Sequence, residues 1–174
     1  QIFDTMRKYH GMGQRERLLL QIAVLIHACG KFISVRNSNE CAYNIIMSTE
    51  IIGISHLERE IIANVVRYNI RDFDYNMVRM ETELDEVTDS FSGQNEVMLL
   101  IAKLTAMLRL ANSMDRGHSA KLADCRMTVK DQNLIITEGK TMTVTVDFQG
   151  RNADLNKLIK QQSEITAVVD VTRI

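Results

Sequence analysis

The chain has 174 residues, of which 45% are hydrophobic and 25% charged, with a formal net charge of -1 at pH 7. That length buries a sizeable core, as one domain or as one domain with a small appendage. The near-balanced charge excludes an overall field that would draw the protein to DNA or to anionic membrane, so any polyanion has to find a local basic patch. Proline is absent, methionine occurs ten times and aromatics are few, which points to a helical, adaptable core rather than a sandwich of short strands. Three cysteines, Cys29, Cys41 and Cys125, show no paired spacing and read as free thiols in a reducing cytoplasm. The apolar run around Ile22 to Ile26 is too short to span a bilayer, and the N-terminus does not resemble a signal peptide. The expectation is a soluble, cytoplasmic protein with no membrane partner.

In chain order, "IFDTMRKYH" reads as the tail of a helix already under way, which implies a fragment of something longer. Residues 15 to 29 carry Leu18, Leu19, Leu20, Ile22, Val24, Leu25 and Ile26 with almost no polar face, the pattern of a central helix buried on all sides. Gly30 ends it, "SVRNSNE" forms a polar loop, and a second helix runs roughly from Glu40 to Thr49. "SHLE", Ser55 to Glu58, has the spacing of a capping box. The helix it opens carries Leu57, Ile61, Ile62, Val65 and Val66 at three- and four-residue spacing up to about Tyr68, leaving Arg59, Asn64 and Arg67 elsewhere.

A weaker helix is predicted over Val78 to Thr88, and a stronger one from about Asn95 to Met114. The latter turns Val97, Ile101, Leu104, Leu108 and Ala111 inward, with Asp115 on the same stripe. After Lys121 the period changes to alternation: "RMTVK", "NLIITE" and "TVTVDF" read as three short strands. "NADLNKLIKQQ" then reads as one more helix and "ITAVVDV" as a final strand. The predicted fold is mainly α, a helical bundle over residues 1–121 followed by a small βββαβ subdomain over residues 122–174.

The residue with the most chemical interest is His27, in "LIHACGK". A histidine deep in a helix most simply packs its ring in the core and hydrogen-bonds a carbonyl. A metal site requires three or more ligands converging from different helices.

"RERLLLQIAVLIHACGKFI", "CAYNIIMSTEIIGISHLEREIIANVVRYN" and "LTAMLRLANSMDRGH" together resemble the C-terminal region of the exopolyphosphatase/guanosine pentaphosphatase (Ppx/GppA) family. "AYNIIMSTEIIGIS" with "VVRYN" is similar to that family's "SAYLI…GFS…VARYH" pattern, and "LRLANSMDRGH" to its "LRLA…LDRS" helix. The resemblance covers about residues 1 to 120, and the remainder fits a C-terminal βα appendage in outline. It implies an HD-like helical domain of the kind that follows two actin-like lobes, where the phosphoanhydride chemistry takes place. The glycine-rich phosphate loops and catalytic Glu of those lobes have no counterpart in these residues. The expectation is therefore a fragment with no catalytic residue and no cofactor of its own, with Mg2+ an option for a full-length parent.

An active HD site of the resembled kind uses an upstream His, a His-Asp pair, often further His residues, and a distant Asp. Here His27 matches the His of the pair and Ala28 stands in place of its Asp; Asp115 matches the distant Asp. Cys41 occupies a position where family members often carry His, and Asn69 replaces the histidine of "RYH". The vestigial set His27, Asp115 and Cys41 is too small to repay dehydration of a divalent ion, so no metal is expected. His27 and Asp115 are instead expected to hold each other, or a buried water, across a helix interface. Zinc bound by His27, Asp115 and Cys41 is the alternative.

Lys31, Arg67, Arg71, Arg109 and Arg116 read most simply as solvated faces. Guanidinium groups nevertheless pair well with phosphate oxygens, and in the resembled family this region guides long chains toward the lobes. The resemblance thus implies a polyphosphate-binding groove built from these five residues. Tyr43, Tyr68 and Tyr75 are too scattered to form a base-stacking platform, so no nucleic-acid partner is expected. Three readings follow: a non-catalytic domain that binds polyphosphate or guanosine pentaphosphate and forms a homodimer; a metal-dependent HD phosphohydrolase with a reduced ligand set; or a purely structural dimerisation module.

Overall fold

A computed structural model describes residues 1–70, 73, 78, 80, 91–115, 125–130, 133–138, 142–147 and 169–170. Among them the chain forms α1 (Ile2–Thr5), α2 (Arg7–His10), α3 (Gln14–Ile26), a 3-10 turn (Cys29–Phe32), α4 (Ser38–Met47), α5 (His56–Arg67) and α6 (Phe91–Met114). Four strands follow: β1 (Arg126–Lys130), β2 (Asn133–Glu138), β3 (Met142–Asp147) and β4 (Val169–Asp170). The protein is mainly helical with a small sheet toward its C-terminal end. The helices predicted over "NADLNKLIKQQ" and, apart from Val78 and Met80, over 78–88 lie outside the described residues. Gly13–Leu108 form one compact unit; Gln1–Met12 and Arg109–Ile174 form the other.

In the first unit α5 is the hub. Its start is the predicted capping box: the Ser55 hydroxyl accepts from the Glu58 amide at 3.2 Å, and Glu58 Oε2 accepts from the Ser55 amide at 2.8 Å. From Glu60 to Val66 every residue is buried, because α5 packs against α3 and α4. Two polar residues are therefore enclosed that the periodicity placed elsewhere or left unmentioned, Asn64 and Glu60, both fully buried. The Asn64 amide donates to the Glu60 carbonyl at 3.0 Å, which satisfies one of its protons inside the helix.

The helix expected to be buried on all sides, α3, is not. Leu19, Leu20 and Ala23 are buried, while Leu18, Val24 and Leu25 are exposed. An all-round apolar composition cannot by itself say how many neighbours a helix has, and α3 turns only one face to α5. Its first turn is tied to the start of α5. Arg15 donates to Glu58 and, at 2.7 Å, to the carbonyl of Gly53, which sits in the left-handed region at φ 82.

Gly30 does not end α3. The helix stops at Ile26, and Gly30 lies inside the 3-10 turn, where its backbone passes over α4. A Cβ at this position would overlap the Ser38 carbonyl oxygen and lie 2.6 Å from the Ala42 nitrogen. Only glycine allows that approach.

α6 is the longest helix among the described residues, and Asn95–Met114 is long and apolar enough by length and composition to cross a membrane. Its middle is instead enclosed by protein, with Ile101, Leu104 and Leu108 fully buried, so it is built as a core helix. This is a more extended apolar segment than the run around Ile22, because its charges, Glu96, Lys103 and Arg109, are widely spaced.

In the second unit, His10 joins the short helices. A carbonyl only accepts and an amide only donates, so His10 Nε2 donates to Phe3 O at 2.9 Å while Nδ1 accepts from the Met12 amide at 2.9 Å. α1 packs on β1, and the Cys125 thiol just before that strand donates to Gln1 Oε1. The sheet order is β1-β2-β3-β4. β1/β2 and β2/β3 are antiparallel, while β3/β4 are parallel through Val146↔Val169 and Asp147↔Asp170. Leu134 and Ile136 are buried, the two-residue period of a strand with one inward face.

Two outcomes test this account. Gly30→Ala should lower stability by about 2 kcal/mol or more, since backbone has to move to admit the methyl group, and urea unfolding measures it. Arg15, hydrogen-bonded to Glu58, is the main cause that lowers the Glu58 carboxyl from 4.5 to about 2, with the Ser55 amide assisting. A carboxylate depressed in the folded state stabilises above its unfolded value, and the stabilisation is lost as pH falls through the folded value. Glu58→Gln should therefore be less stable than wild type at pH 7, and the gap between their urea midpoints should close from about pH 4.5 down toward 2.

Candidate functional site

His27 caps the C-terminal end of α3 in helical backbone geometry. Its Nδ1 lies 2.7 Å from the Val24 carbonyl oxygen, so Nδ1 carries the proton and donates it. A carbonyl often holds the second nitrogen of a metal-ligating histidine in this way, and it satisfies a structural histidine equally well. The partners decide between the two.

Cys41 lies half-buried on α4, and Cys29 half-buried in the 3-10 turn. Burial pushes the Cys29 thiol up, away from the thiolate that a metal or an oxidant would need. Asn69 is buried just beyond α5. Asp115 belongs to the other unit, where its amide donates to the Ala111 carbonyl at 3.2 Å at the end of α6. Among the described residues no group of three or more His, Cys, Asp or Glu side chains comes together as a metal-ligand set.

The basic residues are placed very differently from one another. Lys31 is exposed in the 3-10 turn. Arg67 is half-buried at the end of α5 and engaged with α4: its Nε donates to Glu40 Oε1 at 3.0 Å, and a second nitrogen lies 2.9 Å from Glu40 Oε2. Its guanidinium carbon stands 4.9 Å from the Tyr43 ring centroid and 5.9 Å from that of Tyr68. Arg109 is not on a solvated face; it is 2% exposed on α6. Arg71 and Arg116 lie outside the described residues.

Two further cations stand outside the five basic positions named from the sequence, Arg36 and Arg59. Arg36 is exposed in the same connection as Lys31. Arg59 donates to the Thr49 carbonyl at 3.1 Å and lies 2.6 Å from His56 Nδ1. His56 and Arg59 are three apart in the first turn of a capped helix, and that spacing was the signal available for the second pair.

The helices and most of the terminal sheet fall within one match to a known family. Residues 1–165 match the family described as Ppx/GppA phosphatase, domain III. The chain belongs to the Ppx/GppA phosphatase family. The match runs past the helical motifs that carried the resemblance and includes β1 to β3. No match to a curated protein was found. In this Ppx/GppA domain III, Ala28 follows His27.

The stacked and ion-paired position of Arg67 makes it a structural cation. Arg67→Met should cost about 1 kcal/mol through loss of the Glu40 pair and the Tyr43 face. Lys31→Met, at an exposed position, should stay within about 0.5 kcal/mol of wild type in the same urea titration.

Proposed function

We propose that this domain binds the phosphate groups of inorganic polyphosphate or guanosine pentaphosphate, does not itself hydrolyse them, and forms a homodimer within a cytoplasmic phosphatase. The observation that carries the reading is the match to domain III of the Ppx/GppA phosphatases over residues 1–165. Phosphoanhydride hydrolysis, with Mg2+ where it is required, belongs in this reading to parts of a parent protein other than these residues.

The local chemistry supports a phosphate-holding role at some of the five basic positions more than at others. Lys31 presents its ammonium group to solvent and has exposed Arg36 in the same connection. Exposed cations of this kind attract a polyanion without reading any sequence, and the attraction is screened by salt. Arg67 contributes to the same unit with its guanidinium already shared with Glu40. Arg71 and Arg116 enter on residue type alone. Arg109 is the member that burial argues against as a direct contact, and charge reversal there would place a carboxylate in the core.

Titration calorimetry with long-chain polyphosphate at two salt concentrations tests the proposal. Binding should be saturable, weaken at the higher salt, and fall by at least tenfold in Lys31→Glu/Arg71→Glu. Absence of binding by the wild-type chain at low salt would overturn the phosphate role. Equal binding by the variant would remove Lys31 and Arg71 from it. Guanosine pentaphosphate run in parallel distinguishes the two ligands.

A further inference from the structure

Lys31, Phe32, Ile33, Val35 and Arg36 are all exposed in the connection between α3 and α4, Phe32 by 94% and Val35 by 82%. Apolar side chains that exposed touch almost nothing of their own protein, so they project from the surface and line no groove. A protein partner would have to supply a pocket shaped to each of them. The interface of a lipid bilayer receives projecting apolar side chains without such a match.

Charge narrows the choice further. Residues 17–39 include no aspartate or glutamate, and the exposed cations Lys31 and Arg36 bracket the apolar residues at either end. Lys and Arg in such positions lay their stems along the apolar phase and keep their charged heads at the level of the headgroups. Anionic headgroups then add an attraction that a neutral surface does not offer. The chain as a whole carries a formal net charge of -1, so this attraction is local and screened by salt.

The backbone of the connection suits a poorly hydrated setting. The Lys31 amide donates to the Ala28 carbonyl at 3.1 Å, and the Ile33 and Ser34 amides both donate to the Gly30 carbonyl, at 3.1 and 3.0 Å. The Asn37 amide donates to the Ser34 hydroxyl at 3.1 Å. Amides already bonded within the turn lose no water partner when it enters the interface. Gly30, held against α4, fixes the base of the turn, so docking costs little conformational freedom.

We propose that the connection from Lys31 to Arg36 docks this chain reversibly on an anionic lipid bilayer, with Phe32, Ile33 and Val35 in the interface and Lys31 and Arg36 among the headgroups. This goes beyond the phosphate-binding role, which shares Lys31 and makes no use of the apolar residues.

Co-sedimentation of the 174-residue chain with vesicles of equal parts phosphatidylglycerol and phosphatidylcholine, beside vesicles of phosphatidylcholine alone, tests it. The chain should pellet with the anionic vesicles, less so at high salt, and bind the neutral ones far more weakly. Phe32→Ser/Val35→Ser should weaken binding to the anionic vesicles by at least about tenfold, with the far-UV circular dichroism spectrum and the polyphosphate titration of wild type. Lys31→Gln/Arg36→Gln should lose the preference for phosphatidylglycerol. Failure of the wild-type chain to pellet with anionic vesicles at low salt would overturn the docking and leave the turn to a protein partner. Undiminished pelleting of Phe32→Ser/Val35→Ser would overturn it as well, because headgroup attraction alone would then account for the binding. Apolar-dependent vesicle binding by a chain that does not bind polyphosphate would support the docking and remove only the phosphate role.

Discussion

Where Gly30 passes over α4 there is no room for a methyl group, and backbone lies against backbone at Ser38 and Ala42. This constraint fixes the path of the chain between α3 and α4. α3 has ended at Ile26 and the chain has tightened into a 3-10 turn where it makes this crossing, and α4 packs on that turn and on α5. His27, Cys29 and Lys31 lie within three residues of the crossing, and Cys41 is adjacent to it on α4. Every residue with a claim to chemistry at this end of Gly13–Leu108 is thus positioned by a glycine that has no chemistry of its own. Once α4 is placed, α5 receives neighbours on two sides, and the run from Glu60 to Val66 disappears from solvent.

Local signals were readable where they depend on nearby residues. Ser55 and Glu58 form the capping box that their spacing announced, and the alternation of Leu134 and Ile136 became a strand with one buried face. What could not be read is set by neighbours. Asn64 looked like a polar-face residue because a helical stripe assumes one wet side, and α5 is enclosed at that level. The apolar circumference of α3 suggested complete burial, yet one face of it is open to solvent. A glycine after an apolar helix usually stops it, whereas the role of Gly30 depends on a segment eight to twelve residues further on. Of the candidate site, the residue types at His27, Ala28, Cys41 and Asp115 were readable, whereas the burial of Arg109 and the commitment of Arg67 to Glu40 and Tyr43 required the fold.

His27 is anchored by the Val24 carbonyl, a main-chain group three residues back in the same helix. That hydrogen bond satisfies one ring nitrogen from within the helix itself, whatever side chains stand beside it.

The apolar length of α6 reaches beyond the folded state. Asn95–Met114 has the composition of a bilayer-crossing segment, and what separates it from one is the protein enclosing Ile101, Leu104 and Leu108. During synthesis this helix leaves the ribosome after α3, α4 and α5, so the other helices of the unit Gly13–Leu108 have already been made when it emerges. Chain order therefore acts as a safeguard. A permutation that placed α6 first would offer the same side chains to lipid, chaperone or a neighbouring nascent chain before their own partners existed.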